Sequence, residues 1–303
     1  MKKKYTYRAF GLIISSEIEI PEFNSATGKS QVEITMDKIP ENIPNIYKQG
    51  FRFQIAKNEF LLRFKTWAEF YVKDGEKIII QPQDGVDERD VRVFLLSPVM
   101  GILLHQRKLL PIHTSGICYK KQAVLFAGNS GSGKSTLALA MNKHFGFRLI
   151  SDDITAVSEE NEKTVVHSSF PSIKLWQDSL EMFEIPIEEI PVIRKDVLKY
   201  WYDNSAEYYE GKLIPSHLFF IEPADVKQIS VAVIKGAEKF NLLRQNIFRK
   251  NMVDDLYSSE HFKISSIFLN QVKCFKIVRP KSNCVPQKLA ESVYEILQKT
   301  EKE

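Results

Sequence analysis

The 303-residue chain is 44% hydrophobic and 26% charged, the balance of a folded globular protein long enough for one large domain or two smaller ones. Its 42 basic and 38 acidic side chains leave a formal charge of +4, too even to argue for a nucleic-acid partner. Three scattered cysteines, Cys118, Cys274 and Cys284, exclude a disulfide framework and point to idle thiols in a reducing cytoplasm, and no apolar run of about 18 residues offers a membrane-spanning helix. The basic start over residues 2–4 resembles a signal-peptide opening, but Arg8, Glu17 and Glu19 interrupt the apolar stretch that would have to follow.

In chain order, residues 1–86 read as a β-rich N-terminal region. Strand patterns fall over 5–14, 31–36, 51–55, 59–64, 69–72 and 77–80, with turn chemistry such as Lys73-Asp74-Gly75 between them. From 87 to 107 the period changes. Val91, Phe94, Leu95, Val99, Ile102 and Leu103 recur at helical spacing, which predicts a helix kinked at Pro98. Strands over 112–118 and 123–127 follow, then a glycine-rich turn, a helix over 136–145 stopped by Gly146, and a buried strand over 147–150. A hairpin over 154–157 and 164–167, strands over 213–221 and 228–233, and helices over 237–248, 252–256 and 287–299 complete the pattern. Residues 185–211 mix prolines, aromatics and charges, and read as an irregular loop, either a plain connection or one facing a substrate. The division is thus 1–86, β-rich, and 87–303, a P-loop domain with C-terminal α/β elements.

The strongest motif is Gly128-Asn129-Ser130-Gly131-Ser132-Gly133-Lys134-Ser135, followed by Thr136, which fits G-x-x-x-x-G-K-[ST] between an apolar strand and an apolar helix. Glycines let successive backbone N–H groups curl inward around phosphate oxygens, and the helix start adds its positive end. Lys134 is the type of group that reaches β- and γ-phosphates, and Ser135 supplies a hydroxyl suited to Mg²⁺. The pattern implies ATP and Mg²⁺. Asp152-Asp153 end the strand after the P-loop helix, where a carboxylate holds magnesium in such folds. One of the pair would hold the metal while the other takes a proton from an incoming hydroxyl. A solvated Asp-Asp turn is the plain alternative, and His113 alone reads as a structural histidine.

The stretch 113–153 resembles the catalytic core of HPr kinase/phosphorylase: His113 stands fifteen residues before Gly128, and the loop and Asp152-Asp153 follow in the same order. Outside it, Phe170-Pro171-Ser172-Ile173-Lys174-Leu175-Trp176 and the opening Tyr7-Arg8-Ala9-Phe10-Gly11-Leu12 with Ser16-Glu17 are similar to shorter HPr-kinase-like proteins of lasso-peptide gene clusters. The resemblance implies an α/β P-loop kinase fold of the HPr kinase C-terminal and phosphoenolpyruvate carboxykinase-like type. It implies a serine kinase acting on a peptide or protein, with the C-terminal serine of a lasso peptide precursor as acceptor. Carried over, Asp152 is the general base, Ser135 and Asp153 the magnesium side, and His113 faces the γ-phosphate, with the two aspartates open to exchange. Lys174, Arg194 and Lys195 are candidates for stabilising charge on the transferring group, or ordinary surface cations. The N-terminal region departs from the family's usual N-terminal domain, and no counterpart of its later signature loop is recognised.

Three rival readings stay open: an HPr-type protein kinase/phosphorylase, a small-molecule alcohol kinase, and a nucleotide-binding regulator or ATPase that transfers nothing. The sequence leaves homo-oligomerisation open, and implies neither a nucleic-acid nor a membrane partner.

Overall fold

A computed structural model describes residues 3–188, 190–194, 197–253 and 255–301. The chain opens with the alternation a half-buried strand requires, Leu12, Ile14 and Ser16 facing inward between the less buried Ile13 and Ser15. The single strand expected over 5–14 is a hairpin, Tyr5–Ala9 against Leu12–Ser16, because Phe10 and Gly11 take positive φ (55° and 73°) and reverse the chain in two residues.

Among the described residues nine strands form this first sheet. Their spatial order is Asn24–Ser25, Tyr5–Ala9, Leu12–Ser16, Val32–Met36, Lys77–Pro82, Ala68–Lys73, Glu59–Phe64, Phe53–Ile55 and Lys48–Gln49. Val32–Met36 pairs parallel with both its neighbours, and the remaining pairs are antiparallel. A helical run packs against the sheet: Glu88–Phe94, the π-helical Leu95–Val99 and Met100–Gln106. The kink expected at Pro98 takes the form of this π segment, whose wider turn accommodates a residue with no amide donor. Phe94 stacks on Phe64 with ring centroids 3.9 Å apart.

The core that holds Phe60, Phe70, Phe94 and Leu95 also holds Ile154, Phe170, Trp201 and Phe248. The β-rich region and the remainder of the chain therefore bury apolar surface against each other. Two backbone ties cross the same contact. The Phe10 amide donates to the Ser168 carbonyl (2.9 Å), and the Tyr257 hydroxyl donates to the Lys57 carbonyl (2.5 Å).

The second sheet is mixed. Its path runs Leu110–Ile112, Thr155–Glu160, Lys163–His167, Lys212–Ala224, Gln122–Ala127, Thr114–Tyr119, Arg148–Ser151, with Lys273–Pro280 and Ser230–Val233 branching from Lys212–Ala224. Gln122–Ala127 and Lys273–Pro280 both lie parallel to Lys212–Ala224, and parallel strands bury both faces. Val124 and Phe126 accordingly pack with the helices Lys134–Phe145 and Pro286–Thr300, while Leu125 and Ala127 pack with the helix Ser258–Gln271 on the opposite face. The result is a mixed α/β, helix–sheet–helix arrangement with a glycine-rich loop at the end of a central strand.

Several expected boundaries move. The strand over 112–118 breaks at His113, leaving Leu110–Ile112 and Thr114–Tyr119. The loop expected over 185–211 instead contains Val192–Arg194 and Val197–Asp203, which pair antiparallel, and Val197–Asp203 pairs in turn with Ser172–Trp176. The helix over 237–248 shortens to Ala237–Gln245, and that over 252–256 shifts to Lys250–Val253. The helix Ser258–Gln271 and the strand Lys273–Pro280 have no counterpart among the sequence expectations. No described helix is long and apolar enough to cross a membrane.

Because Phe94 is buried where the helical run meets the sheet, Phe94→Ala is expected to cost about 3–5 kcal/mol. Urea unfolding followed by circular dichroism and by tryptophan fluorescence should show both signals moving to lower midpoint together, since the two regions share one core.

Candidate functional site

The loop after Gln122–Ala127 has the conformation its glycines permit. Gly128, Gly131 and Gly133 sit at φ of 146°, 80° and 97°, and Gly133 caps a helix that begins at Lys134, one turn fragment earlier than the expected 136. Gly128 also has no room for a side chain. A Cβ there would stand 2.6 Å from the Ile221 carbonyl oxygen and 2.7 Å from Ser132 Oγ.

Two residues far along the chain brace this loop. The Gly128 amide donates to Asn246 Oδ1 (2.9 Å), and the Asn246 carbonyl accepts from the His113 amide (2.7 Å). Arg279, near the end of Lys273–Pro280, donates from Nε to the Ser132 carbonyl (2.8 Å) and from Nη2 to the Gly131 carbonyl (3.4 Å). Both contacts engage the outward groups of the loop and leave other backbone amides for a ligand. The Lys134 ammonium donates to the Gly128 and Asn129 carbonyls (2.8 and 3.1 Å). Burial pushes that ammonium down to about 8, against the pull of Asp152 and Asp153.

Asp152 is buried, and its two oxygens divide their partners. Oδ1 accepts from the hydroxyls of Ser135 (2.7 Å) and Ser115 (2.5 Å), and Oδ2 from the Lys174 amide (2.9 Å). Asp153 faces elsewhere, held at a left-handed φ of 67°. Its Oδ2 accepts from Lys174 Nζ (2.7 Å) and from the Ser97 hydroxyl of the π segment (2.9 Å). Burial alone would raise the Asp153 carboxyl, but the Lys174 ammonium and His113 outweigh it and hold the group far below the ordinary carboxylate range. His113 Nδ1 lies 2.8 Å from the Asp153 carbonyl oxygen, which can only accept. That nitrogen therefore carries the proton. Burial, with Lys134, pushes the imidazole below its ordinary value, so the ring is neutral near pH 7 with Nε2 unprotonated.

A cleft of about 310 Å³ gathers most of the residues expected from the sequence: Ser130, Gly131, Gly133, Lys134, Ser135, Thr136, Asp152, Asp153, His113 and Lys174. Of the other loop members, Asn129 contributes its carbonyl to Lys134, and Ser132 is buried beneath the loop. The Thr136 hydroxyl pairs with Ser179 Oγ (2.9 Å). Lys174 is buried, with its ammonium 4.8 Å from the Trp201 ring centre, so it is no surface cation. Arg194 is described as the last residue of Val192–Arg194 and not beyond its backbone, and Lys195 lies outside the described residues.

The sequence reading missed Lys199, Arg279 and Lys281, which bring further positive charge to the same cleft, and Trp176, Cys284, Pro286 and Leu289, which line it. The lining thus combines several cations, suited to a polyanion, with apolar side chains. Magnesium would fit Ser135 and Asp152, a hydroxyl and a carboxylate already converging, since this ion takes few protein oxygens and completes its shell with water and phosphate. Among the described residues no group of three or more His, Cys, Asp or Glu forms a metal-binding cluster of its own.

Fold and site together define a mixed α/β protein with a glycine-rich loop at the mouth of a cationic cleft. No family model and no curated protein matches the sequence. Among solved structures, the chain is similar to the HPr(Ser) kinase/phosphatase from Coxiella burnetii, at 15% identity over 63% of this chain and 98% of that one, with a TM-score of 0.34. A likeness at that identity and score leaves the reading of the site to its own side chains.

Two outcomes follow from this geometry. Gly128→Ala should fold but lose most of its affinity for nucleoside triphosphate, read by titration with a fluorescent ATP analogue, because the new methyl group collides with backbone. A bound triphosphate should also raise the depressed Lys134 pKa, so binding takes up protons near pH 8 and weakens as pH rises beyond it. Calorimetry in buffers of different ionisation heat measures the uptake, and Lys134→Met should abolish it.

Proposed function

We propose that the protein is a magnesium-dependent phosphotransferase that moves the γ-phosphate of ATP to an alcohol, the serine hydroxyl of a peptide. The observation that carries the reading is the convergence at the loop. Ser135 and Asp152 share one hydrogen bond on the metal side, while Asp153 and His113 stand at the boundary between the loop cleft and a second cleft. The acceptor suggested by the sequence resemblance, the C-terminal serine of a lasso peptide precursor, is the specific form of this proposal.

The loop amides and Lys134 bind and orient the β- and γ-phosphates, and Lys174 and Lys199 add positive charge beside them. Magnesium, held by Ser135 and Asp152, would neutralise charge between the β- and γ-phosphates. The acceptor oxygen forms a bond to the γ-phosphorus as the bond to the ADP oxygen breaks, and ADP leaves with that electron pair. Asp153, held ionised, orients the incoming hydroxyl, and its proton passes to the Asp153–His113 pair, where the unprotonated Nε2 is the stronger base. This assigns Asp152 to the metal and Asp153 to the acceptor, the exchanged form of the allotment that the family resemblance implies. The reason is that Ser135 pairs with Asp152.

The two aspartates should therefore fail differently. Asp152→Asn is expected to weaken magnesium-dependent ATP binding. Asp153→Asn is expected to leave ATP binding nearly intact and to lower the rate of labelled phosphate transfer by about 10²–10⁴-fold. The opposite pattern would return the base to Asp152.

A further inference from the structure

Two clefts meet at the loop, and the nucleotide accounts for one of them. The second, of about 500 Å³, shares Ser130, His113 and Asp153 with the first and extends away from it along Gln245 to Met252. Phosphoryl transfer places the attacking oxygen roughly in line with the leaving oxygen, on the far side of the transferring phosphorus. With ADP in the first cleft, the acceptor must come from the second. Its floor is apolar, with Ile247 and Phe248 buried, and its size exceeds what a lone hydroxyl requires.

Apart from Asp153, the charged side chains lining this cleft are cations. Arg249 and Lys250 line it, and among the described residues neither makes an ion pair. Its remaining charged residue among those described, Asp153, is already committed to Lys174. Arg249 is exposed and held at a left-handed φ of 52°, a conformation that a bulky residue adopts at a cost. The surroundings impose it. The Phe248 amide is fixed on the Pro111 carbonyl (2.9 Å), the Met252 amide donates to the Arg249 carbonyl (2.8 Å), and Lys48 of the first sheet's edge strand holds the Asn251 carbonyl (2.6 Å).

We infer that this second cleft is the acceptor site and that Arg249 and Lys250 select an acceptor carrying an anionic group close to the serine that is phosphorylated. The inference rests on the phosphotransfer reading and adds to it a place and a charge for the substrate. Two cations that pair with no carboxylate among the described residues, beside a reaction centre that must accept an alcohol, are complementary to a carboxylate on the same peptide. That carboxylate has two sources, the free terminus of a chain ending in serine or an acidic side chain next to an internal serine.

The test uses the full-length protein, γ-labelled ATP with magnesium, and three synthetic peptides. One ends in serine with a free carboxylate, one is the same peptide with a terminal amide, and one has an internal serine flanked by glutamate. Label should enter the free-acid peptide, the glutamate peptide or both with a kcat/KM about ten-fold or more above the amide, and the pattern names the source of the charge. Arg249→Glu/Lys250→Glu, checked for retained ATP binding, should lose that preference and favour a peptide with lysine beside its serine. Equal labelling of amide and anionic peptides, or an unchanged preference in the charge-reversed chain, would overturn the inference while leaving phosphotransfer standing. ATP bound but no label on any peptide would overturn the phosphotransfer reading, and the inference with it.

Discussion

A carboxylate taken out of water must be met by donors, and Asp152 is met by three: the hydroxyls of Ser115 and Ser135 and the amide of Lys174. Each donor belongs to a different element. Ser115 lies in Thr114–Tyr119 of the central sheet, Ser135 in the first turn of the helix Lys134–Phe145, and Lys174 in Ser172–Trp176 of the small third sheet. One buried charge thus fixes the helix start against the sheet and brings the third sheet alongside, which in turn places the Lys174 ammonium on Asp153. Losing any one donor would leave part of that charge unmet, so the geometry of the whole cleft follows from keeping all three.

The two clefts divide the chemistry along the same line. Donors and cations crowd the loop side, where a polyanion is expected, and His113 and Asp153 occupy the boundary. The charge balance explains how Asp153 remains ionised although half-buried, since the Lys174 ammonium lies 2.7 Å away. Both Asp153 and Arg249, which line the second cleft, adopt left-handed backbone conformations. Strain of this kind persists only where surrounding contacts over-determine it.

What the sequence revealed was local. The phosphate loop is contiguous, its glycines and lysine fall at fixed spacing, and the apolar strand and helix on either side are short-range patterns. The braces were hidden because contacts distant in sequence, which no local pattern reports, deliver them: Arg279 reaches the loop from 147 residues away, on a strand, and Asn246 from 118, at the end of a helix. The helix Ser258–Gln271 escaped for a different reason. Its inward positions include His261 and Ser265 beside Ile264, Phe268 and Leu269, so polar residues interrupt the apolar period. The region over 185–211 read as loop because Val192–Arg194 is only 3 residues long and Val197–Asp203 carries Lys199, Tyr200, Trp201 and Tyr202 in place of an alternating aliphatic pattern.

The π segment Leu95–Val99 joins two parts of the molecule usually considered apart. Its helix is packed into the core of the N-terminal sheet, and its Ser97 hydroxyl ends on Asp153. A chain trimmed of its first 86 residues would thus lose the support behind the Asp153 carboxylate along with a cover for apolar surface. The first 86 residues are in this sense part of the cleft's own support, and a shift of that sheet would be transmitted to Asp153.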